Sequence, residues 1–288
     1  MIKNFLTIAG SDPSGGAGIQ ADIRVASRLD LYPCSVVTAV TAQNSNEVSG
    51  LWEVPADMIE KQLESVLEDY RPQSVKIGML LSPKSVETVS TVLRKHEISN
   101  IVVDPVLSPT LLNKEPDKDL VSSLCENLFP IATLITPNIE EKKVIESLTG
   151  INLWEQYEAV LVKGGHSEDK HVTDVLYYHS FANEMHSNAS TAFPSLNHDT
   201  LPYFPNDTYR APSEDDSYLE IKEFVNKRIE TDNTHGTGCI LSSAISCYLA
   251  LDYDLVKSVE LGIKFTRDAL KKSISQKPCQ GKYGPALI

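Results

Sequence analysis

Six short apolar, β-branched runs alternate with amphipathic helical stretches, and this alternation constrains the fold more than any single motif. The runs lie at residues 5–9, 35–39, 74–77, 100–103, 133–135 and 159–162. The helical stretches lie at 19–29, 56–70, 84–95, 117–128 and 140–148. Within 56–70, Ile59, Leu63, Val66 and Leu67 recur at i, i+4, i+7 and i+8 and so share one helical face. Strands made almost wholly of Val, Ile and Leu, with helices between them, predict a mostly parallel sheet covered on both faces. That is an α/β three-layer sandwich. Right-handed crossovers then bring the C-terminal ends of the strands to one edge, where open α/β sheets bind ligands.

One core is expected, and so a single domain over residues 1–288. Two regions break the rhythm. Residues 149–158 form a short connection to the next strand, and residues 180–216 are rich in Asn, Ser, Pro, Asp and Tyr without a period. The second reads as a long irregular surface excursion. No run approaches the roughly 18 apolar residues of a membrane span. The opening MIKNFLTIAGSD has too short an apolar run for a secretory signal, so a cytoplasmic location is expected. A net charge of −13 without a basic stripe argues against a nucleic-acid partner. The five cysteines, Cys34, Cys125, Cys239, Cys247 and Cys279, are scattered, with neither disulfide nor zinc spacing. Asn188 and Asn206 stand in glycosylation acceptor triplets, which without a signal peptide are read as chance.

The suspicious motifs follow predicted strands. Residues 10–18, GSDPSGGAG, lie between the first strand and a helix. Glycines there let backbone approach a ligand and leave N–H groups free to point at it. The segment is neither a Walker A loop nor a GxGxxG fingerprint, and a plain strand–turn–helix junction explains it equally well. More specific is Asn233-Thr234-His235-Gly236-Thr237-Gly238-Cys239, which opens a buried helix. Backbone N–H groups of Thr237, Gly238 and Cys239 are expected to form an anion hole in the first helical turn. Cys239 is expected there with a lowered pKa, as a base for a substrate hydroxyl. The plainer alternative is a tight helix entry with a structural cysteine.

Three further signals are weak one by one. Asp104 follows a strand, where a carboxylate can hold Mg2+ through water. Glu141 stands three residues beyond Asn138, a spacing that also suits an ordinary helix N-terminus. Lys163 and His166 flank a glycine turn after another strand, where they are equally well surface residues.

Taken together, TIAGSDPSGGAGIQAD, VTAVTAQNS, KIGML, DPV, LITPN with Glu141, VLVKGGH and NTHGTGC occur in the order found in hydroxymethylpyrimidine/phosphomethylpyrimidine kinases. The chain resembles that thiamine-biosynthetic branch of the ribokinase-like superfamily, over residues 7 to about 272. The resemblance implies a ribokinase-like fold, ATP as co-substrate, Mg2+, a small pyrimidine substrate and a homodimer. It implies that Asp22, Gln43, Met79 and Val106 line a pyrimidine pocket, with Gly10 beside them. The carboxamide of Gln43 suits a ring nitrogen next to an exocyclic amine. Asn138 and Glu141 match the motif associated with Mg2+ and phosphates, and Lys163 and Thr234 match nucleotide-side positions. Gly236 and Gly238 belong to the anion hole, and Cys239 takes the catalytic-base position.

The sequence departs from that pattern in places. Residues 107–112, LSPTLL, replace a Ser-Gly-containing flap, and 149–158 lack a helix that most members have. The excursion at 180–216 is an addition on the nucleotide side. Pyridoxal kinase activity is the nearest alternative, and a non-catalytic pyrimidine- or nucleotide-binding protein is an alternative of another class. A dinucleotide-dependent oxidoreductase fits poorly, because the fingerprint spacing and its acidic residue are missing.

Overall fold

The computed structural model of the protein describes residues 2–107, 117–165, 170–181, 217–276, 278–280 and 284–288. The first strand, β1 (Asn4–Ser11), leads through a glycine loop into α1 (Gly18–Arg28). Next come β2 (Tyr32–Gln43), β3 (Val48–Glu53), α2 (Ala56–Tyr70), β4 (Ser74–Ile77) and α3 (Pro83–Lys95). The middle of the chain forms β5 (Ile101–Val103), α4 (Lys118–Ser123), β6 (Leu134–Ile135), α5 (Ile139–Thr149) and α6 (Leu153–Gln156). It closes with β7 (Ala159–Val162), β8 (His171–Phe181), β9 (Ser217–Lys227), α7 (Thr237–Ala250) and α8 (Leu255–Ser273).

The nine strands among the described residues form one sheet in the order β3-β2-β1-β4-β5-β6-β7-β8-β9. Pairing is parallel from β2 to β7 and antiparallel where β3, β8 and β9 join. All six predicted strands are present, and β4 and β5 are wholly buried, as continuous apolar runs require. Along one face lie α2, α3, α4 and α5, whose Ile59, Leu63, Val89, Val121 and Ile145 meet Leu6, Ile8 and Val75 from the sheet. Across the other face lie α1, α7 and α8. Helix α7 packs between them on β1, β4 and β5, and it is buried along nearly its whole length. A helix that is apolar all round belongs in such a place.

Several expectations need correction. A one-turn helix, α6, occupies the 149–158 connection that was read as helix-free. The predicted helix over 117–128 is α4 followed by a π turn at Leu124–Leu128 and a 3-10 turn at Phe129–Ile131. The second strand runs on to Gln43, and β3, β8 and β9 were not foreseen. Ser180 and Phe181, placed in the excursion, end β8, while residues 182–216 lie outside the described residues. So do His166 and residues 108–112 of the altered flap.

Between β1 and β4 the chain order reverses, since β1 connects to β2 on one side while β4 continues towards β5 on the other. Loops leaving neighbouring strands at such a point part to opposite faces and open a crevice. The glycine loop after β1 and the Gly78-Met79 turn after β4 border it.

Candidate active site

The glycine loop is built around Asp12. Its carboxylate accepts hydrogen bonds from the backbone N–H groups of Ser14 and Ala17, both at 2.9 Å, and from the Ser14 hydroxyl at 3.0 Å. His235 Nε2 lies 2.9 Å from the same carboxylate. Burial opposes the charge, yet these hydrogen bonds outweigh it and hold the carboxyl at about 2. Asp12 thus joins the loop after β1 to the loop before α7, 223 positions away in the chain.

The two loops meet backbone to backbone at Gly236. Its φ of +80° is left-handed, and a Cβ there would lie 1.8 Å from the Gly16 carbonyl oxygen. Only glycine satisfies both demands. As the N-cap of α7, Gly236 starts a helix whose first turn faces Asp104 and Lys163: a Cβ on Gly238 would stand 3.6 Å from Asp104 Oδ2 and from Lys163 Nζ. The Thr237 N–H points back to the Thr234 carbonyl at 3.3 Å. The expected anion hole therefore narrows to the Gly238 and Cys239 N–H groups, which have no partner inside the helix.

Cys239 requires the main chemical correction. Its thiol is pushed up to about 11, not down. Burial is the largest cause, and the Asp22 and Asp104 carboxylates add to it. Against them, the Lys76 ammonium and the Gly18 N–H that points at the sulfur favour the thiolate without prevailing. The helix N-terminus alone suggested the opposite sign. Cys239 is therefore a neutral thiol at neutral pH.

Beneath Cys239 lies a buried ion pair. On α7, Ser243 is one turn beyond Cys239 and donates to Asp22 Oδ1 at 2.7 Å. Asp22 also accepts from Thr7 at 2.6 Å and from Lys76 at 2.9 and 3.1 Å. Lys76 and Asp22 side chains are both 0% exposed. Asp22, matched to a pyrimidine-pocket position, thus has its oxygens engaged by three side chains below the site.

A second cluster lies along the ends of β5, β6 and β7. Lys163 Nζ donates to Asp104 Oδ1 at 2.7 Å and stands 3.9 Å from Glu141 Oε2. Thr136 and Ser242 donate to Asp104 at 3.2 and 3.4 Å. Burial works against the Asp104 charge, but Lys163 and Lys76 hold its pKa below the usual carboxylate range. Asn138 caps α5 by accepting the Glu141 N–H, and Glu141 returns the bond to the Asn138 N–H, both at 2.8 Å. This capping box satisfies two orphan donors and places the Glu141 carboxylate beside Lys163. Burial, reinforced by Asp104, raises Glu141 to about 7.

That shift has a measurable consequence. Between 4.5, its ordinary value, and about 7, Glu141 binds a proton in the folded protein that the unfolded chain has lost. Its contribution to stability therefore falls as pH rises through that window. Glutamine retains the capping geometry without the charge. The melting-temperature difference, Glu141→Gln minus wild type, is expected to grow from pH 5 to pH 8. A constant difference would contradict the assigned shift.

Two carboxylates with one lysine suit a hard divalent ion carried in by phosphate oxygens. Among the described residues no group of three His, Cys, Asp or Glu side chains forms an all-protein metal cage.

The remaining expected residues lie on strand ends and loops around α7's first turn. A Cβ on Gly10 would stand 2.5 Å from the Met79 methyl, and the Thr38 hydroxyl holds the Met79 carbonyl at 2.6 Å. Gln43 ends β2 and lies 3.3 Å from His235. Val106 turns back beside Asp104, its N–H donating to the Asp104 carbonyl at 2.9 Å. Thr234 contributes its carbonyl to the Thr237 N–H and hydroxyl. Asp12, His235 and Lys76 were not singled out from sequence. Asp12-Pro13-Ser14-Gly15 is a turn signature that could have flagged the first. A lysine inside the four-residue strand SVKI could have flagged the last.

The phosphomethylpyrimidine kinase family model matches residues 12–193 and 215–285. The chain belongs to that family. It is 32% identical over 289 residues to the hydroxymethylpyrimidine/phosphomethylpyrimidine kinase of Bacillus subtilis, covering 95% of this chain and 91% of that protein. It is 35% identical over 255 residues to the Escherichia coli enzyme of the same name, covering 84% and 81%. A crystal structure of phosphomethylpyrimidine kinase from Clostridium difficile superposes with a TM-score of 0.65 at 31% identity, over 92% of this chain and 99% of that one. The pyridoxal kinase of Staphylococcus aureus gives a TM-score of 0.75 at 23% identity, over 99% and 93%, which shows a common fold.

Proposed function

We propose that this phosphomethylpyrimidine kinase family member transfers the γ-phosphoryl group of ATP to the hydroxymethyl group of 4-amino-5-hydroxymethyl-2-methylpyrimidine, and then to the monophosphate so formed. The observation that carries the reading is the first turn of α7. There Gly238 faces Asp104 and Lys163, while Gly236 abuts Gly16, which lies against the His235 ring that reaches Gln43.

Such a transfer depends on positioning and on stabilising charge spread over the moving phosphoryl oxygens. Lys163 supplies a fixed cation on the nucleotide side, and the Gly238 and Cys239 N–H groups supply donors at the reacting centre. Asn138 and Thr234 fit the nucleotide side. Asp104 and Glu141 would hold Mg2+ together with the phosphates, and the ion would neutralise their charge. On the substrate side Gln43 pairs with the aminopyrimidine edge, while Met79, Val106 and Gly10 contact the ring. Asp22 supports the pocket from below. Cys239 takes the hydroxyl proton. Because its thiol starts near 11, only a small thiolate fraction exists at neutral pH, so kcat/KM rises with pH on the alkaline side.

The test is ADP release from Mg-ATP with the hydroxymethylpyrimidine, its monophosphate and pyridoxal in parallel. Turnover of both pyrimidines is expected. Turnover of pyridoxal alone would move the protein to vitamin B6 salvage, and ligand-induced stabilisation without ADP would leave a binding protein.

A homodimer and a cytoplasmic location complete the proposal. Among the described residues no helix is long and apolar enough to cross a membrane. Val40 and Trp52 pair directly across β2 and β3 and are 45% and 64% exposed, with Met58 also exposed. An apolar patch at a sheet edge suits burial against a second copy. Trp52→Glu is expected to shift the sedimenting species from dimer to monomer. Sedimentation as a monomer by the wild type would overturn the dimer.

A further inference from the structure

His235 lies 3.3 Å from the Gln43 amide, and several contacts hold it in place. Its backbone N–H donates to the Gly284 carbonyl at 3.1 Å, and its carbonyl accepts from the Ala286 N–H at 3.3 Å. Residues 284–286 thereby strap the base of the side chain in place. Its imidazole edge lies against Gly16, where a Cβ would come within 2.3 Å of Cδ2. Nε2 faces Asp12 Oδ2 at 2.9 Å and the Gln43 side-chain amide at 3.3 Å.

Those neighbours fix the proton. Asp12 stays ionised, since its carboxyl is held at about 2, and an ionised carboxylate only accepts hydrogen bonds. Nε2 of His235 therefore carries the hydrogen and acts as a donor. The Gln43 nitrogen lies 3.3 Å from His235 Nε2, which sets N–H against N–H; turned end for end, the amide puts its carbonyl oxygen there, to share the Nε2 hydrogen that Asp12 takes at 2.9 Å. A carboxamide's two ends are told apart by such neighbours.

The other end gives the same answer independently. The Thr41 hydroxyl lies 3.5 Å from Gln43 Oε1, but its single hydrogen goes to the nearer Ser11 carbonyl at 3.0 Å. What it turns towards Gln43 is a lone pair, which suits NH2. Both neighbours thus set the amide one way round, with the carbonyl towards His235 and NH2 towards Thr41.

We propose that His235 is a specificity-determining positioning residue, which fixes the order in which Gln43 presents its acceptor and its donor to the substrate. The inference rests on the reading of Gln43 as the partner of the aminopyrimidine edge. That edge has a ring nitrogen acceptor beside an amine donor, so the order of the two groups matters. Reversing the amide sets donor against donor and acceptor against acceptor, and both hydrogen bonds are lost.

The experiment is a double-mutant cycle in steady-state kinetics with the hydroxymethylpyrimidine. His235→Leu, which has no donor, is expected to raise the pyrimidine KM about tenfold, the effect of roughly one or two hydrogen bonds. Its kcat should stay within about twofold of wild type. In a Gln43→Ala background the same change is expected to have little further effect, because residues acting through one contact are not additive. His235→Gln, which keeps a donor, should recover most of the affinity and guards against a variant that fails to fold. Equal effects of His235→Leu in both backgrounds, or a fall in kcat at unchanged KM, would overturn the inference. Wild-type protein inert towards the pyrimidine would instead overturn the functional reading on which it rests.

Discussion

Replacing Cys239 by alanine is expected to lower kcat by about a hundredfold or more, the usual range for removing a general base. The variant should bind ATP with unchanged affinity, measured by calorimetry, because the Asp104–Lys163–Glu141 cluster does not depend on the sulfur. It should also lose pH dependence. In the wild type the free-enzyme thiol ionises near 11, so kcat/KM climbs with pH as the thiolate fraction grows. Without the thiol that climb disappears, leaving a low, flat profile over the same range. A Cys239→Ala enzyme with wild-type turnover would remove Cys239 as the base and leave the N–H groups and Lys163 to account for the rate.

Lys76→Met is expected to have the largest effect on stability. Lys76 is wholly buried, and although burial opposes its charge, Asp22 outweighs that and raises its pKa. Removing the ammonium leaves the Asp22 carboxylate buried with only Thr7 and Ser243 as donors. Breaking a buried pair from one side costs roughly 3–5 kcal/mol, which urea unfolding would resolve at unchanged slope. In the double variant Lys76→Met, Asp22→Asn no charge is stranded, so much of the loss should be recovered. Equal destabilisation of the single and double variants would show that packing, not the stranded charge, sets the cost. Because Lys76 favours the Cys239 thiolate, surviving folded Lys76→Met enzyme should also show a weaker alkaline rise in kcat/KM.

The parts of the fold legible in the sequence share a physical cause. β4, β5 and the core of β1 are buried on both faces, so they read as unbroken apolar runs between polar turns. The antiparallel additions were missed because each is half in water. On β9, Leu219, Ile221 and Val225 face outwards at 41%, 60% and 59% exposure, among Glu220, Lys222 and Glu223. Such a mixture resembles a loop or a helix as readily as a strand. The helix over 117–128 was legible as helix, while its π turn, set by how Leu124, Cys125 and Leu128 pack into the core, was not.

For the site, the motif positions were legible, but the charges between them were not. Asn138 and Glu141 are three residues apart, so their mutual capping could be read locally. Lys163 meeting Asp104, or His235 meeting Asp12, depends on strands and loops brought together by the sheet. The Cys239 thiol shows why local reasoning gave the wrong sign. A helix N-terminus favours thiolate, but burial and the carboxylates of Asp22 and Asp104, all supplied by tertiary structure, outweigh it.

The most direct test of phosphoryl transfer at this site is phosphorus NMR of wild-type protein with Mg-ATP and the hydroxymethylpyrimidine in one tube. The expected result is a new phosphomonoester resonance that then gives way to the paired resonances of a diphosphate, while the γ-phosphate of ATP declines in step. An unchanged ATP spectrum, or a γ-phosphate lost only to inorganic phosphate, would contradict the account.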